Sequence, residues 1–182
     1  MRRPVLVPVS VAIISSSRAI DNLCNRRFYA DDDATSIRYY TPDHWDSLLI
    51  DDLFTLSELA TDDGTFTYGT VWTLNTHFVL DPLNAAEDGK PWQKVETVAS
   101  GGRSFDPSLV RSVRVTGRFG WPAVPVAIRE ATTLLASRLL RLSREAPFGV
   151  VAFGDQAIRI ARMDPSVIML CGPYARHRIA VA

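Results

Sequence analysis

The sequence predicts an α+β fold: a small helical bundle carrying an inserted antiparallel β-sandwich or barrel-like domain. Three observations predict it. Apolar residues recur at helical spacing near both ends of the chain, over residues 11–28 and 124–142. Between them they alternate in short runs separated by Asp/Gly turns, over residues 35–119. Charge changes sign along with the period: residues 1–30 carry net +4, residues 31–98 net −11 and residues 99–182 net +7, in a chain neutral overall. Such asymmetry marks structural units with different neighbours. The expected division is residues 1–30 with 120–182 as the helical core and 31–119 as the acidic β-insert.

Residues 11–28 read as the first helix, with Ser10 as N-cap and Ile13, Ile20, Leu23, Cys24 and Phe28 near one face. Ser15, Ser16 and Ser17 are weak in a helix interior. Ahead of the helix, Arg2 and Arg3 precede a valine-rich run, as a signal peptide would. Pro4 and Pro8 break that run and no cleavage site follows, so it reads as an extended arm or strand leading into the helix. After Asp31-Asp32-Asp33 come short strands at 35–40, 47–50, 53–59, 65–74, 77–80, 92–98 and 110–119. Asp62-Asp63-Gly64 is read as a hairpin turn, and Asp88-Gly89 and Gly101-Gly102 as further turns. In the last strand Val113, Val115 and Gly117 alternate with Arg114, Thr116 and Arg118, the pattern of a half-buried strand.

Gly120, Trp121 and Pro122 make a rigid strand-to-helix corner, with the indole filling the space where sheet and helix meet. Pro125 suits the first position of a long helix. Its apolar stripe is Val124, Ile128, Ala131, Leu135, Leu139 and Leu142, widened by Ala127 and Leu134. Pro147-Phe148-Gly149 ends it. Residues 157–161 alternate as a short strand. Asp164 then caps a final helix with Pro165 at its first position, stopped by Gly172-Pro173.

The residues that carry chemistry elsewhere do not assemble here. His44, His77 and His177 are scattered, with no second ligand at metal spacing. Cys24 and Cys171 read as buried thiols. There is no nucleophile elbow, Walker loop or dinucleotide fingerprint, and Gly101-Gly102-Arg103-Ser104 does not open a helix. Asp31-Asp32-Asp33, with Asp43 or Asp46, lacks the alternating ligands and turn glycine of a calcium loop. Asp51-Asp52 and Asp62-Asp63 read as turn residues. No catalytic residue, cofactor or metal is therefore expected. No apolar run has the length to span a bilayer. The arginines remain. Arg138, Arg141 and Arg144 on the long helix are candidate subunit-contact residues or a solvated face. Tyr174, Arg176, His177 and Arg178 form a basic tail, a candidate partner-docking segment.

One stretch is patterned closely enough to suggest a family. Arg-Val-Thr-Gly-Arg-Phe-Gly-Trp-Pro-Ala-Val-Pro (114–125), the Ala/Leu helix after it, Ala146-Pro-Phe-Gly-Val, Ile158-Arg-Ile-Ala-Arg-Met-Asp-Pro and residues 170–174 resemble the head-to-tail connector (adaptor, head-completion) proteins of siphophages, especially those infecting actinobacteria. Ser17-Arg-Ala-Ile-Asp-Asn-Leu-Cys-Asn-Arg-Arg-Phe resembles the first helix of that family, and Asp81-Pro-Leu-Asn-Ala the end of its β-insert. The resemblance implies a structural virion protein of the capsid–tail neck, present in the host cytoplasm during assembly. It implies a homo-oligomeric ring, commonly of twelve copies, under the portal protein. The ring extends the DNA channel and offers a platform to stopper, tail-terminator or tail-tube proteins. Double-stranded DNA passes through it without sequence-specific binding, and no membrane, cofactor or catalytic residue is involved. The tail from Tyr174 is the expected portal contact. The alternatives are another neck ring, such as a stopper or tail terminator, and a small non-viral binding protein or enzyme. A stopper or terminator would be mainly β and would lack the long helix.

Overall fold

The computed structural model describes residues 8–33, 35–145 and 153–176. The chain divides into two compact units, one of Met1–Arg27 with Val124–Ala182 and one of Phe28–Ala123. Divided there, the charge separates fully: the first unit carries net +8 and the second net −8.

The first unit is helical: α1 (Val9–Cys24), α2 (Val126–Glu145), α3 (Phe153–Met163) and α4 (Pro165–Cys171), followed by a 3-10 turn, Gly172–Tyr174. Helix α1 packs on α2 and α3, and α4 packs on α2. Its buried face is made of small residues, Ala12, Ser16 and Ala19, with Ile20 and Cys24. Ala157 and Ala161 of α3 are also fully buried. Small side chains let helix axes approach closely, which gives the serine run a reason to sit inside a helix. Helix α2 contributes Ile128, Ala131, Leu135, Ala136 and Leu139 to the same core. Thr132, Thr133 and Ser137 turn their hydroxyls back onto the carbonyls of Ile128, Arg129 and Thr133, which satisfies them within the helix.

Four helical expectations are corrected. Helix α1 starts at Val9, with Pro8 rather than Ser10 at the N-cap. The Pro8 carbonyl accepts from Val11 and Ala12 at 3.0 and 3.4 Å. The helix also ends at Cys24 instead of reaching Phe28. Asn25 adopts a left-handed φ of 53°, which stops propagation and turns the chain away. Residues 157–161, expected as a strand, lie in α3. Ala157 and Ala161 are one helical turn apart and form its buried seam, while the Ile158–Arg159–Ile160 alternation spans too few residues to set a period. The expected end of α2 at Pro147–Gly149 lies outside the described residues. Asp164 does cap α4, its carboxylate accepting from Ser166 and Val167 amides at 3.0 and 3.4 Å with Pro165 in the first turn. Gly172 does not stop the chain sharply; it stays right-handed and the backbone continues for one 3-10 turn.

The second unit is a six-stranded antiparallel sheet: β1 (Ser36–Tyr40), β2 (Ser47–Thr61), β3 (Thr70–Trp72), β4 (Phe78–Asp81), β5 (Trp92–Thr97) and β6 (Val113–Phe119). The order is β1-β6-β2-β5-β4, with β3 also on β2. Leu53 pairs with both Trp92 and Phe119, and Leu59 with both Trp72 and Val115. Strands β3 and β5 therefore share the edge of β2 opposite β6. Leu48, Ile50, Leu53, Leu59, Trp72, Phe78, Leu80, Val95, Phe105, Val113, Val115 and Phe119 form its core. In β6, Val113, Val115, Gly117 and Phe119 are buried while Arg114, Thr116 and Arg118 are half-buried, as the alternation predicts.

Two expected strands, 47–50 and 53–59, are one strand. Asp51-Asp52 reads as a turn by composition, yet both acids sit inside β2, where the pairing register with β5 shifts between Leu49 and Leu53. Arg38 holds Asp51, and Trp121 holds Asp52. The expected strand 65–74 shrinks to β3, because the chain between Thr61 and Thr70 is gathered around Asp62. That carboxylate accepts backbone N–H groups from Gly64, Phe66, Thr67 and Tyr68 at 2.7 to 3.1 Å.

Candidate functional site

Among the described residues, one end of α1 is exposed. Residues 8–17 carry no charge. Val9, Val11, Ile13 and Ile14 are 58%, 40%, 47% and 63% exposed, and only Ala12 and Ser16 turn inward. At 100° per residue these four side chains face three sides of the helix, so the first turns of α1 form an apolar knob.

Two concavities lie on the same unit. One, of about 610 Å³, runs between α2 and α4 and is lined by Val126, Arg129, Glu130, Thr133, Leu134, Ser137 and Leu170. Its floor is mostly apolar and its charges, Arg129 and Glu130, are of opposite sign. The other, of about 460 Å³, is walled by Arg138, Gln156, Arg159, Met163 and Asp164, among others. Here Asp164 does two things: it caps α4 and it pairs with Arg138 of α2. The Asp164 side chain is almost fully buried while that of Arg138 is 39% exposed, so the pair is anchored inside and partly solvated outside. Arg138, a candidate subunit-contact residue, is thus committed within its own unit. Arg141 is exposed. Arg144 lies in the last turn of α2, and its side chain is outside the described residues.

The tail begins bound to α1. The Arg176 amide donates to the Cys24 carbonyl at 2.8 Å, and Asn25 Nδ2 donates to the Arg176 carbonyl at 3.4 Å. Tyr174 and Arg176 are half-buried there. His177 and Arg178 lie outside the described residues. Cys24 and Cys171 are both buried free thiols, and Cys24 Sγ approaches the Cys171 carbonyl at 3.9 Å. The hydrogen bond to Cys171 and burial push the Cys24 thiol well above its ordinary range. Nothing in the sequence linked these residues, 147 positions apart.

The corner residues pin the sheet unit. Gly120 has φ 114°, and a Cβ there would lie 2.0 Å from the Tyr29 carbonyl oxygen. Its amide donates to the Asp52 carbonyl at 2.7 Å, and Trp121 Nε1–H donates to the buried Asp52 carboxylate at 3.0 Å. The Phe28 ring packs on the Trp121 indole at 5.4 Å between centroids, while Pro122 is exposed. Nearby, Arg38 bridges Asp31 and Asp51, both at 2.8 Å, over the Phe119 ring. Burial, reinforced by the Asp51 charge, raises the Tyr40 phenol. These contacts explain acids that sequence reasoning assigned to turns. The signal was the pairing of Asp51 with Arg38 and of Asp52 with Trp121, which no linear spacing exposes.

Among the described residues no group of three His, Cys, Asp or Glu side chains converges as a metal site. No described helix is long and apolar enough to cross a membrane.

No protein-family model matches the chain, and no curated protein matches it. Solved structures do share its fold. A chain in the neck of a native gene transfer agent (GTA) particle, computed with C12 symmetry, matches with TM-score 0.56 and 17% identity, covering 96% of this chain and 85% of that one. A chain in the neck of the empty particle, computed with C6 symmetry, matches with TM-score 0.55 and 17% identity, covering 96% and 80%. A chain of the native GTA virion matches with TM-score 0.50 at the same identity, covering 96% and 79%.

Proposed function

We propose that the chain is a structural neck protein, the subunit of a head-to-tail adaptor ring of twelve copies. The ring sits under the portal of a DNA-filled capsid, extends the DNA channel and presents a platform to stopper, tail-terminator or tail-tube proteins. The carrying observation is that 96% of the chain superposes on chains from a particle neck, including one computed with C12 symmetry. A fold shared over that length covers both units, so the reading does not rest on a common helical motif alone. The sequence resemblance supports the same role: its strongest stretch, residues 114–174, takes in β6, the Gly120–Trp121–Pro122 corner, α2, α3 and α4.

The chemistry suits the role. A cyclic array needs two unlike surfaces on each copy, because head-to-tail contacts close the ring. This chain offers units of net +8 and −8, a projecting apolar knob and a shallow groove. DNA passes without sequence-specific contact. The portal contact is the tail from Tyr174: Arg176 is held on the end of α1, and His177 and Arg178 follow it in the sequence. The protein works in the virion neck and is present in the host cytoplasm during assembly.

The test mixes the purified chain with the portal ring encoded in the same genome and images the product by electron microscopy. A coaxial second ring on one face of the portal supports the reading. Deleting residues 177–182 leaves the Arg176–Cys24 hydrogen bond intact and is expected to abolish portal binding without unfolding the chain. Binding at a tail-side ring instead of the portal would assign the chain to the stopper or terminator position.

A further inference from the structure

We infer that the apolar knob at the start of α1 seats in the α2–α4 groove of a neighbouring copy, forming the lateral contact of the ring. The inference rests on the ring reading above and specifies which surfaces close it.

The geometry excludes the knob's own groove. Leu170 lines the groove, and the next residue, Cys171, has its carbonyl 3.9 Å from Cys24 Sγ at the far end of α1. The groove therefore lies beside the C-terminal end of α1. Asp164, at the start of α4, reaches Arg138, so α4 runs from the middle of α2 back toward Val126. The knob is at the other end: from Val9 to Cys24, α1 extends about 22 Å at about 1.5 Å per residue. Helix α1 is fixed along its length by Ala12, Ser16, Ala19 and Ile20, so its first turns cannot swing over that distance. A knob and a groove at opposite ends of one rigid unit make a heterologous pair. Repetition of that contact generates a closed ring or an open filament, not an isolated two-fold dimer.

The chemistry of the two surfaces matches. The knob presents Val9, Val11, Ile13 and Ile14 without a charge in residues 8–17, so it brings no ion of its own to be desolvated, and the two charges beside the groove, Arg129 and Glu130, are of opposite sign. The groove floor offers Val126, Leu134 and Leu170, with Thr133 and Ser137 already hydrogen-bonded to their own helix. Exposed apolar residues in contiguous groups, unlike scattered ones, mark association sites. A second copy is the occupant favoured here because the fold is shared with chains from necks computed with C6 and C12 symmetry, and a closed ring of this chain would bring each knob to a neighbouring copy.

The test uses the full chain. Ile13→Cys and Thr133→Cys are made singly and together, and exposed to oxidised glutathione. The native thiols are buried, and the parent protein serves as control. The double variant is expected to give a ladder of covalent oligomers. The two single variants mixed give dimers, and neither single variant alone does. Dimers from the Ile13→Cys variant alone would overturn the inference, since they mean a two-fold contact. An unlinked sample that still forms a twelve-copy species by native mass spectrometry would also overturn it, while leaving the ring reading standing. A sample that is monomeric throughout would overturn both. As a second variant, Ile13→Asp places a charge on a half-exposed position outside the core. It is expected to keep the parent circular dichroism and weaken association about tenfold or more, the scale of one lost buried aliphatic contact. Unchanged association would sink the knob.

Discussion

Replacing Asp164 separates two roles that share one carboxylate. Asp164→Ala removes the cap of α4, whose bonds to Ser166 and Val167 are 3.0 and 3.4 Å, at about 1 kcal/mol. It also removes the partner of Arg138. That arginine side chain is 39% exposed and regains water when released, so the pair contributes roughly 0.5–1 kcal/mol rather than the several expected of a fully buried one. Asp164→Ala should therefore cost about 1.5–2 kcal/mol. Asp164→Asn keeps an accepting oxygen at the cap and loses the charge, and should cost about 0.5–1 kcal/mol. Arg138→Ala leaves a buried carboxylate facing only the helix amides, and the cycle with Asp164→Asn should show a coupling of about 0.5–1 kcal/mol. Chemical unfolding followed by far-ultraviolet circular dichroism, dominated by the helical unit, measures the parent, the three single variants and the Asp164→Asn/Arg138→Ala double variant. Equal losses for Asp164→Ala and Asp164→Asn would refute the cap. Zero coupling with Arg138 would refute the pair.

The other predictions concern the sheet unit and the thiols. Gly120→Ala should destabilise by about 3 kcal/mol or more, because φ 114° is strained for any side chain and the Cβ meets the Tyr29 carbonyl at 2.0 Å; a soluble variant of parental stability would contradict this geometry. Asp62 resists protonation: burial opposes its charge, but four backbone N–H donors outweigh that and hold its carboxyl at about 2, below the ordinary 3.8. The loop's order is thus fully supported above pH 3.8 and is lost as pH falls toward 2, which the NMR amide signals of Gly64, Phe66, Thr67 and Tyr68 should follow. A midpoint at the ordinary aspartate value would show that those bonds are not made. Cys24 and Cys171 should be alkylated by iodoacetamide only on unfolding, since both are buried and Cys24 is held as a thiol.

The helical ends were legible because their signals are local. A stripe at helical spacing in α2, the Asp164–Pro165 cap and the β6 alternation each specify one element without help from distant residues. Residues 157–161 misled because five residues fit either period, and only the packing of Ala157 and Ala161 decides. Asp51-Asp52 misled for a related reason: acids favour turns until a buried donor compensates them, and Trp121 is 69 residues away. The knob was the least legible feature. Of its four residues the sequence places only Ile13 on the apolar face of the first helix, and Val9 ahead of that helix; in the structure Val9, Val11, Ile13 and Ile14 are all exposed. The arginines divided the same way. Arg138 has a partner inside its unit, which sequence spacing from Asp164 gave no reason to expect.

The central claim is that copies of this chain close into a ring on a portal. Native mass spectrometry of the full chain, alone and with the portal ring of the same genome, measures it directly. The account predicts twelve copies of the 20.2 kDa chain per portal ring. A chain that remains monomeric at high concentration and adds no mass to the portal would contradict it.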